Sequence, residues 1–477
     1  MTRQCAPQLP AQQERNRWWL VVAAGLAVFM AMLDMSIVGI ALPNIGADFD
    51  VSPAAAEWVV LGYLLPLVGV TLPAGTWLDR VGKRPALVFS AGGFVLASIA
   101  AGLAPNIGWL IGARVMQGSF GAVLFALGPA LAAAAVRPDA RGRAMSVVAT
   151  VGPLGGVSGP ALGGLLVDSL GWPWTFYINV PVGLAVIGIG LAQLPAEGRL
   201  RWPDRSLVAG AALLCAAAVA LLGGLALSAS RGLGWLVLTA AAVPPLRAWL
   251  RMRASQSTRG LLLVPGMAGP HLALVAQTTG VGVLMFLIPF YLQDTLNMSA
   301  TTAGLAILAF PLAALLLASV GGVIADVWNA RRTSLLGVAV FVVGLLTLTP
   351  LNPEWAAADL TWRLAIVGGG AGLFSGPNQT VAMSTAPPAL LATTGATTSL
   401  ARQLGFSLGP GLATAVWALS GYTALGMRTA LVAAAGLGVI ALLPLCRGAS
   451  TPQAPDSYRH INAEEGSQPC TTTSMSQ

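Results

Sequence analysis

The chain has 477 residues, 56% of them hydrophobic and 9% charged, with a net charge of +8 and a mean hydropathy of +0.76. A soluble domain averages about 25% charged residues, so this composition excludes a soluble fold and points to a polytopic membrane protein. The basic excess is spread over short loops rather than gathered in one tract, which argues against a nucleic-acid partner.

Apolar runs near the roughly 20 residues needed to cross a bilayer follow one another with little between them. They are read at 18–42, 54–77, 85–104, 107–130, 143–167, 176–194, 207–227, 233–250, 271–292, 302–324, 334–350, 361–384, 397–419 and 424–445. The expected fold is all-α, with fourteen crossings. The eighth is the weakest, being short and broken by Pro244-Pro245, so twelve crossings plus a hairpin is the alternative. The expected organisation is a tail over 1–16, a six-helix bundle over 17–195, and a linker with two inserted helices over 196–259. A second six-helix bundle over 260–446 and a polar, disordered tail over 447–477 complete it.

Arginine and lysine placement sets the orientation. Arg80, Lys83 and Arg84 follow the second run, Arg137, Arg141 and Arg143 the fourth, and Arg331 and Arg332 the tenth. The alternate loops carry Asp48, Asp50, Glu57, Asp168, Asp294, Glu354 and Asp359. The arginine-bearing loops and both termini are therefore expected in the cytoplasm, and the chain in the cytoplasmic membrane. Cys5, Cys215, Cys446 and Cys470 form no disulfide or metal pattern.

The most informative residue is Asp34, the only charge in the first run. A carboxylate near the middle of a membrane helix costs about 2.5–3.5 kcal/mol on insertion scales, so a chain that keeps one normally uses it for proton or ion movement, or to bind a cation. At about 1.5 Å per residue, Asp34 lies roughly 12 Å below Leu42. Arg114 lies at a comparable distance into the fourth run, so the two can share one depth. Burial favours the neutral acid and a facing guanidinium favours the carboxylate, which makes such a pair responsive to separation or to water. A static pair that only fixes packing is the other reading.

The chain also repeats itself. Gly75, Asp79, Arg80, Gly82, Lys83 and Arg84 follow the second run, and Gly322, Asp326, Arg331 and Arg332 follow the tenth. Gly155, Gly159 and Pro160 of the fifth run match Gly405, Gly409 and Pro410 of the thirteenth. Two parallel halves of this kind are characteristic of secondary transporters. The acid and basic residues at 79–84, with 326–332 as counterpart, read as a conformational latch or as topology signals alone. Gly155, Gly159 and Gly163, with Gly164 beside them, allow close helix approach, and Pro160 bends its helix.

Taken together, these segments resemble the major facilitator superfamily, in particular its fourteen-span drug:proton antiporters. Leu33 to Val38 with Ala41-Leu42-Pro43 is similar to that group's first-helix signature. Residues 75–84 are similar to its cytoplasmic loop motif, Arg114 to Gly118 to its fourth-helix arginine motif, and Gly155 to Gly164 to its fifth-helix antiporter motif. Trp172 to Pro181 resembles the segment leading into the sixth helix. The resemblance covers residues 17–446 and departs at Met35-Ser36 and Pro173. It implies two six-helix bundles with two extra helices, a proton gradient instead of a cofactor, and a seal or hinge at the antiporter motif.

Met30, Tyr63, Gln117, Gln277, Asn378 and Gln379 are candidates to line a central cavity, each weighed against ordinary packing, and Arg402 and Gln403 belong with them. No phosphate loop surrounds Lys83, the only lysine, and no catalytic or metal-binding cluster is visible, so an enzyme is not expected. The partners expected are a small-molecule substrate, protons and the lipid bilayer, with a monomeric chain. The functional expectation is proton-coupled export of a small amphipathic compound such as a drug, dye or antibiotic. Transport of a defined metabolite without proton antiport, or a non-transporting sensor, remains open.

Overall fold

The computed structural model describes residues 16–78, 80–137, 140–196 and 199–446, and every regular element among them is helical. The first lobe holds α1 (Trp18–Asp48), α2 (Pro53–Leu78), α3 (Lys83–Gly102), α4 (Ile107–Ala135), α5 (Arg141–Leu170) and α6 (Asn179–Gln193), with a single turn, Trp174–Tyr177, ahead of α6. Next come α7 (Arg205–Arg231) and the short α8 (Val243–Arg251). The second lobe is α9 (Ala268–Phe290), α10 (Ala300–Trp328), α11 (Ala330–Leu348), α12 (Ala357–Thr385), α13 (Leu391–Ala418) and α14 (Ala424–Cys446). Eleven helices among the described residues are long and apolar enough to cross a membrane. Helices α12 and α13 are as long, at 29 and 28 residues, but richer in Gly, Ser and Thr.

Several helix starts are set by side-chain caps that satisfy otherwise orphaned N–H groups. Asn106 accepts from the Trp109 amide at 2.9 Å, Ser299 from Thr302 at 3.2 Å, and Asn329 from Arg331 at 2.8 Å. Prolines sit inside α1, α2, α4, α5, α9, α10, α12 and α13. Bundle neighbours can re-satisfy the carbonyls that each one frees.

The expected continuous span over 233–250 is corrected. The chain there breaks into a turn at Leu233–Leu236, one at Val237–Ala240, and the nine-residue α8. Pro244 and Pro245 explain the break, because neither has an N–H to continue a helix arriving from Val237. The pieces still run back along α7. The Thr239 amide lies 2.9 Å from where a Cβ on Gly224 would stand, and the Trp249 ring 3.8 Å from the same point on Gly210.

The loops after α1, α5 and α9 gather at one end of the bundle, called here the acidic end, and those after α2, α4 and α10 at the other, the arginine end. At the acidic end one apolar core joins both lobes, from Ile37, Leu42 and Ala56 to Leu284, Phe290 and Trp417. Toward the arginine end the core belongs to the first lobe, around Leu20, Met30, Phe94 and Leu131. Helix α7 packs in the seam between α2 and α13.

Glycine sets the closest helix contacts. A Cβ on Gly155 or Gly163 would overlap the α1 backbone at Phe29 or Ile37, and one on Gly159 would meet Ser36 and Ile37. The second lobe repeats this between α13 and α9, where Gly405 faces Val275 and Thr278, and Gly409 faces Gly282. Backbone approach of this kind supplies the dispersion that holds helices together in lipid. Gly409→Val is therefore expected to destabilise the fold by about 1–3 kcal/mol, seen as a lower thermal unfolding midpoint in detergent. Gly436→Val, at a position with nothing within 4 Å, is expected to leave that midpoint unchanged.

Candidate functional site

Asp34 lies midway along α1 and is fully buried. Three side chains from two neighbouring helices donate to its carboxylate. Arg114 on α4 donates through Nη1 to Oδ2. Gln117, one turn further along α4, donates through Nε2 to Oδ1 at 2.7 Å. Asn179, the first residue of α6, donates through Nδ2 to the same oxygen at 2.8 Å. With only donors around it, the carboxyl has the surroundings of an anion.

The arginine is held as firmly. Its Nε donates to the Val59 carbonyl of α2 at 3.0 Å, and its Nη1 reaches Gln117 Oε1 at 2.6 Å. The guanidinium carbon stands 4.4 Å from the centre of the Tyr63 ring and 5.7 Å from that of Phe176, distances at which the ring faces attract a cation. Tyr63 is fixed in turn by donating to the Ala31 carbonyl at 3.0 Å, and Gln117 also donates to Ser98 of α3 at 2.8 Å. Five helices of the first lobe thus meet on one ion pair.

Two candidates for the cavity wall, Tyr63 and Gln117, belong to this network. Met30 is fully buried in the first-lobe core, with its sulfur 3.4 Å from where a Gly183 Cβ would stand. In the second lobe Gln277 is buried, Asn378 donates to the Pro270 carbonyl at 3.1 Å, and Gln379 is half-buried. Gln403 accepts from Thr71 of α2 at 3.3 Å across the two lobes. Arg402 stays exposed and donates to Ser375 at 3.2 Å. Eleven residues from the start of α13, it lies about 16 Å along the helix.

The glycine face of α5 brackets the turn of α1 that carries Asp34. Gly155 abuts Phe29 and the Leu33 amide, and Gly159 abuts Ser36, whose hydroxyl donates to the Leu33 carbonyl at 3.1 Å. Gly164 and Pro160 turn the other way, toward Ala300 and Gly304 of α10. One short segment therefore packs the acid-bearing helix and closes the lobes against each other.

Further cross-lobe bonds cluster at the acidic end. Asp168 accepts from the Ala300 and Thr301 amides at 3.1 and 2.7 Å, capping the first turn of α10. Asn44 donates to Gln293 at 2.8 Å, and Gln293 donates to the Ile40 carbonyl at 3.0 Å. Deeper along α5, Gly156 has nothing within 4 Å. The acidic end is closed.

Asp79 lies outside the described residues. Arg80 pairs with Asp204 in the segment leading to α7, and the Trp77 indole donates to the Arg201 carbonyl at 2.8 Å. Gly82 stands just before α3, and Lys83 and Arg84 open that helix; with Arg17 they line a cavity of about 390 Å³ at the arginine end. A Cβ on Gly75 would meet nothing within 4 Å, so no close helix contact is made there in this conformation. Asp326 and Arg332 are exposed at the junction of α10 and α11, and Arg331 is half-buried beside them.

Sequence reasoning missed three residues that matter here. Asn179 was visible as a lone amide inside an apolar stretch. Glu57 and Asp168 were assigned to loops, yet both lie within helices, Glu57 fully buried. His271 is also buried and shares a 3.0 Å bond with Thr397.

Comparison with known proteins agrees with this architecture. The family model described as Major Facilitator Superfamily matches residues 24–189 and 270–473, leaving out the segment that contains α7 and α8. The tetracenomycin C resistance and export protein of Streptomyces glaucescens is 31% identical over 84% of this chain and 76% of its own length. The riboflavin transporter RibZ of Clostridioides difficile (strain 630) is 28% identical over 83% and 87%. The puromycin resistance protein pur8 of Streptomyces alboniger is 30% identical over 83% and 81%. Among solved structures, a bacterial homolog to the human lysosomal transporter Spinster, inward-facing and occupied, superposes with a TM-score of 0.66 at 16% identity, covering 92% of this chain and 99% of that one. By these matches, and by the two six-helix lobes, the chain belongs to the Major Facilitator Superfamily of membrane transporters.

Proposed function

We propose that the protein is a proton-coupled antiporter that exports small amphipathic organic compounds across the cytoplasmic membrane by alternating access. The observation that carries this reading is the buried Asp34 carboxylate, whose donors come from α4 and α6 of one lobe. Proton binding would discharge it and loosen Arg114, Gln117 and Asn179, and proton release would restore them. The glycine face of α5 touches both the Asp34 turn and α10, so a change at the acid reaches the seam between lobes through packed backbone.

The arginine end is read as cytoplasmic, which makes the closed acidic end the outside and this conformation inward-facing. With α7 and the broken return through α8 counted as a pair, the chain crosses fourteen times and keeps both termini in the cytoplasm. A guanidinium at the depth of Arg402 is not left to lipid, so Arg402 is taken to face water inside the cavity. With Asp34 neutralised by Arg114, that positive charge favours neutral or anionic amphipaths. Names of relatives such as the tetracenomycin C and puromycin resistance proteins support a drug or antibiotic as cargo. The likeness to a riboflavin transporter supports a second reading, transport of one defined metabolite.

Asp34→Asn is expected to abolish efflux driven by a pH gradient, by at least about tenfold, in proteoliposomes while the protein still inserts. Unchanged coupled efflux would reject the assignment, and pH-independent counterflow would favour the metabolite reading. Asn179→Ala removes one donor that favours the carboxylate. A hydrogen bond to a charged group contributes about 1.5 kcal/mol or more, so the pH profile of efflux should move by about one unit toward alkaline pH. An unmoved profile would leave Asn179 with packing alone.

A further inference from the structure

Glu57 lies on the second turn of α2 and is fully buried, yet neither carboxyl oxygen has a hydrogen-bond partner. Its surroundings are a three-helix seam. Oε1 stands 3.5 Å from where a Cβ on Gly411 of α13 would be, and Leu225 of α7 reaches the same point at 3.1 Å. Thr414, one turn along α13, lies beside it. That hydroxyl donates its proton to the Pro410 carbonyl at 2.9 Å. With its hydrogen committed there the hydroxyl can accept from a protonated Glu57, and turned toward Glu57 it would be a carboxylate's single donor.

The charged groups on the neighbouring elements are committed elsewhere. Arg114 of α4 donates to the Val59 carbonyl close by, but pairs with Asp34 of α1. Arg231 at the end of α7 stacks on Trp235 at 5.5 Å, and Arg428 of α14 donates to the Leu351 carbonyl at 3.0 Å. Arg402 of α13 bonds Ser375, two to three turns away. Tyr422, in the turn after α13, has its phenol pushed up by burial and then by the Glu57 carboxyl, so it offers no compensating charge. A carboxylate walled in by apolar surface, with one hydroxyl as its sole available donor and no facing cation, is not a state that this seam supports.

We infer that Glu57 is a second proton-binding site, occupied while α2, α7 and α13 are in contact and emptied to water when α2 and α13 part at the acidic end. On opening, the Glu57 O–H bond breaks and its proton passes to water on that side. On closing, the carboxylate must take a proton back before the seam can dehydrate. Glu57 thereby links closure of the acidic end to proton binding, and α7, absent from the family match, forms the third wall of the site. The inference rests on the alternating opening proposed above, but neither on the cargo nor on Asp34 as coupling group.

The test uses the full chain in lipid nanodiscs, with native cysteines replaced and spin labels at Ser52→Cys and Leu419→Cys, on the α2 and α13 sides of the seam. The wild-type background should show a longer label separation as pH rises. Glu57→Gln should lose that step and keep the short separation, whereas Glu57→Asp should retain it. A Glu57→Gln protein that still opens with pH as the wild type does overturns the inference alone. Labels that never move in the wild-type background overturn both it and the alternating-access reading. Should Glu57→Gln fail to insert, an apolar carbodiimide on the unlabelled wild type decides by mass spectrometry. Modification of Glu57 that declines as pH rises supports the site, and none at any pH rejects it.

Discussion

The organising constraint is a salt bridge removed from water. An ion pair taken into a low-dielectric interior loses several kcal/mol of hydration per ion, and their attraction offsets this only with good geometry and further hydrogen bonds. Asp34 and Arg114 meet that demand by drawing in groups from α2, α4 and α6: Gln117, Asn179, the Val59 carbonyl and the Tyr63 ring. Breaking one partner of such a pair costs about 3–5 kcal/mol. The same arrangement is therefore stable when complete and sensitive to the arrival of a proton, which removes the reason for the donors to converge.

Close backbone packing turns that sensitivity into something the lobes can feel. The two lobes use one device at equivalent places, Gly155 and Gly159 of α5 against α1, and Gly405 and Gly409 of α13 against α9. Aligning those contacts puts Gly280 of α9, next to Thr279, at the place that Asp34 holds on α1. Thr279 is buried and donates to the Val275 carbonyl at 2.7 Å, so the second lobe repeats the packing without the charge. The lobes are alike in how their helices touch and unlike in what those helices carry.

This division explains how much was legible in the sequence. Apolar runs of membrane length, the two-half repeat, the isolated Asp34 and the arginine at matching depth are local or periodic signals, and the helices follow them closely. Two kinds of feature did not show. Hydropathy treats an acid near the edge of a run as loop, so Asp168 was placed just outside a helix that extends past it, and Glu57 was counted with the loop acids although the run read at 54–77 contains it. Which side chains converge depends on helix rotation, which no linear pattern specifies, so Asn179 and Tyr63 were visible as residues but not as partners. The eighth run failed for a simpler reason: composition made it apolar while Pro244 and Pro245 denied it a continuous helix.

The two buried carboxylates of the first lobe show why burial alone does not define a site's chemistry. Asp34 and Glu57 are equally inaccessible, but one is met by donors from α4 and α6 and the other by Thr414 and the wall of Leu225. Protein groups replace the lost water around the first carboxyl and largely fail to around the second. They also sit in different places, since Asp34 is enclosed within one lobe whereas Glu57 lies where the lobes meet. On the proposed reading, closing the seam at Glu57 would ask for a proton in the same conformation that holds Asp34 without one. Two sites of opposite proton preference at two depths would then let alternating access carry charge in a direction set by which end is open.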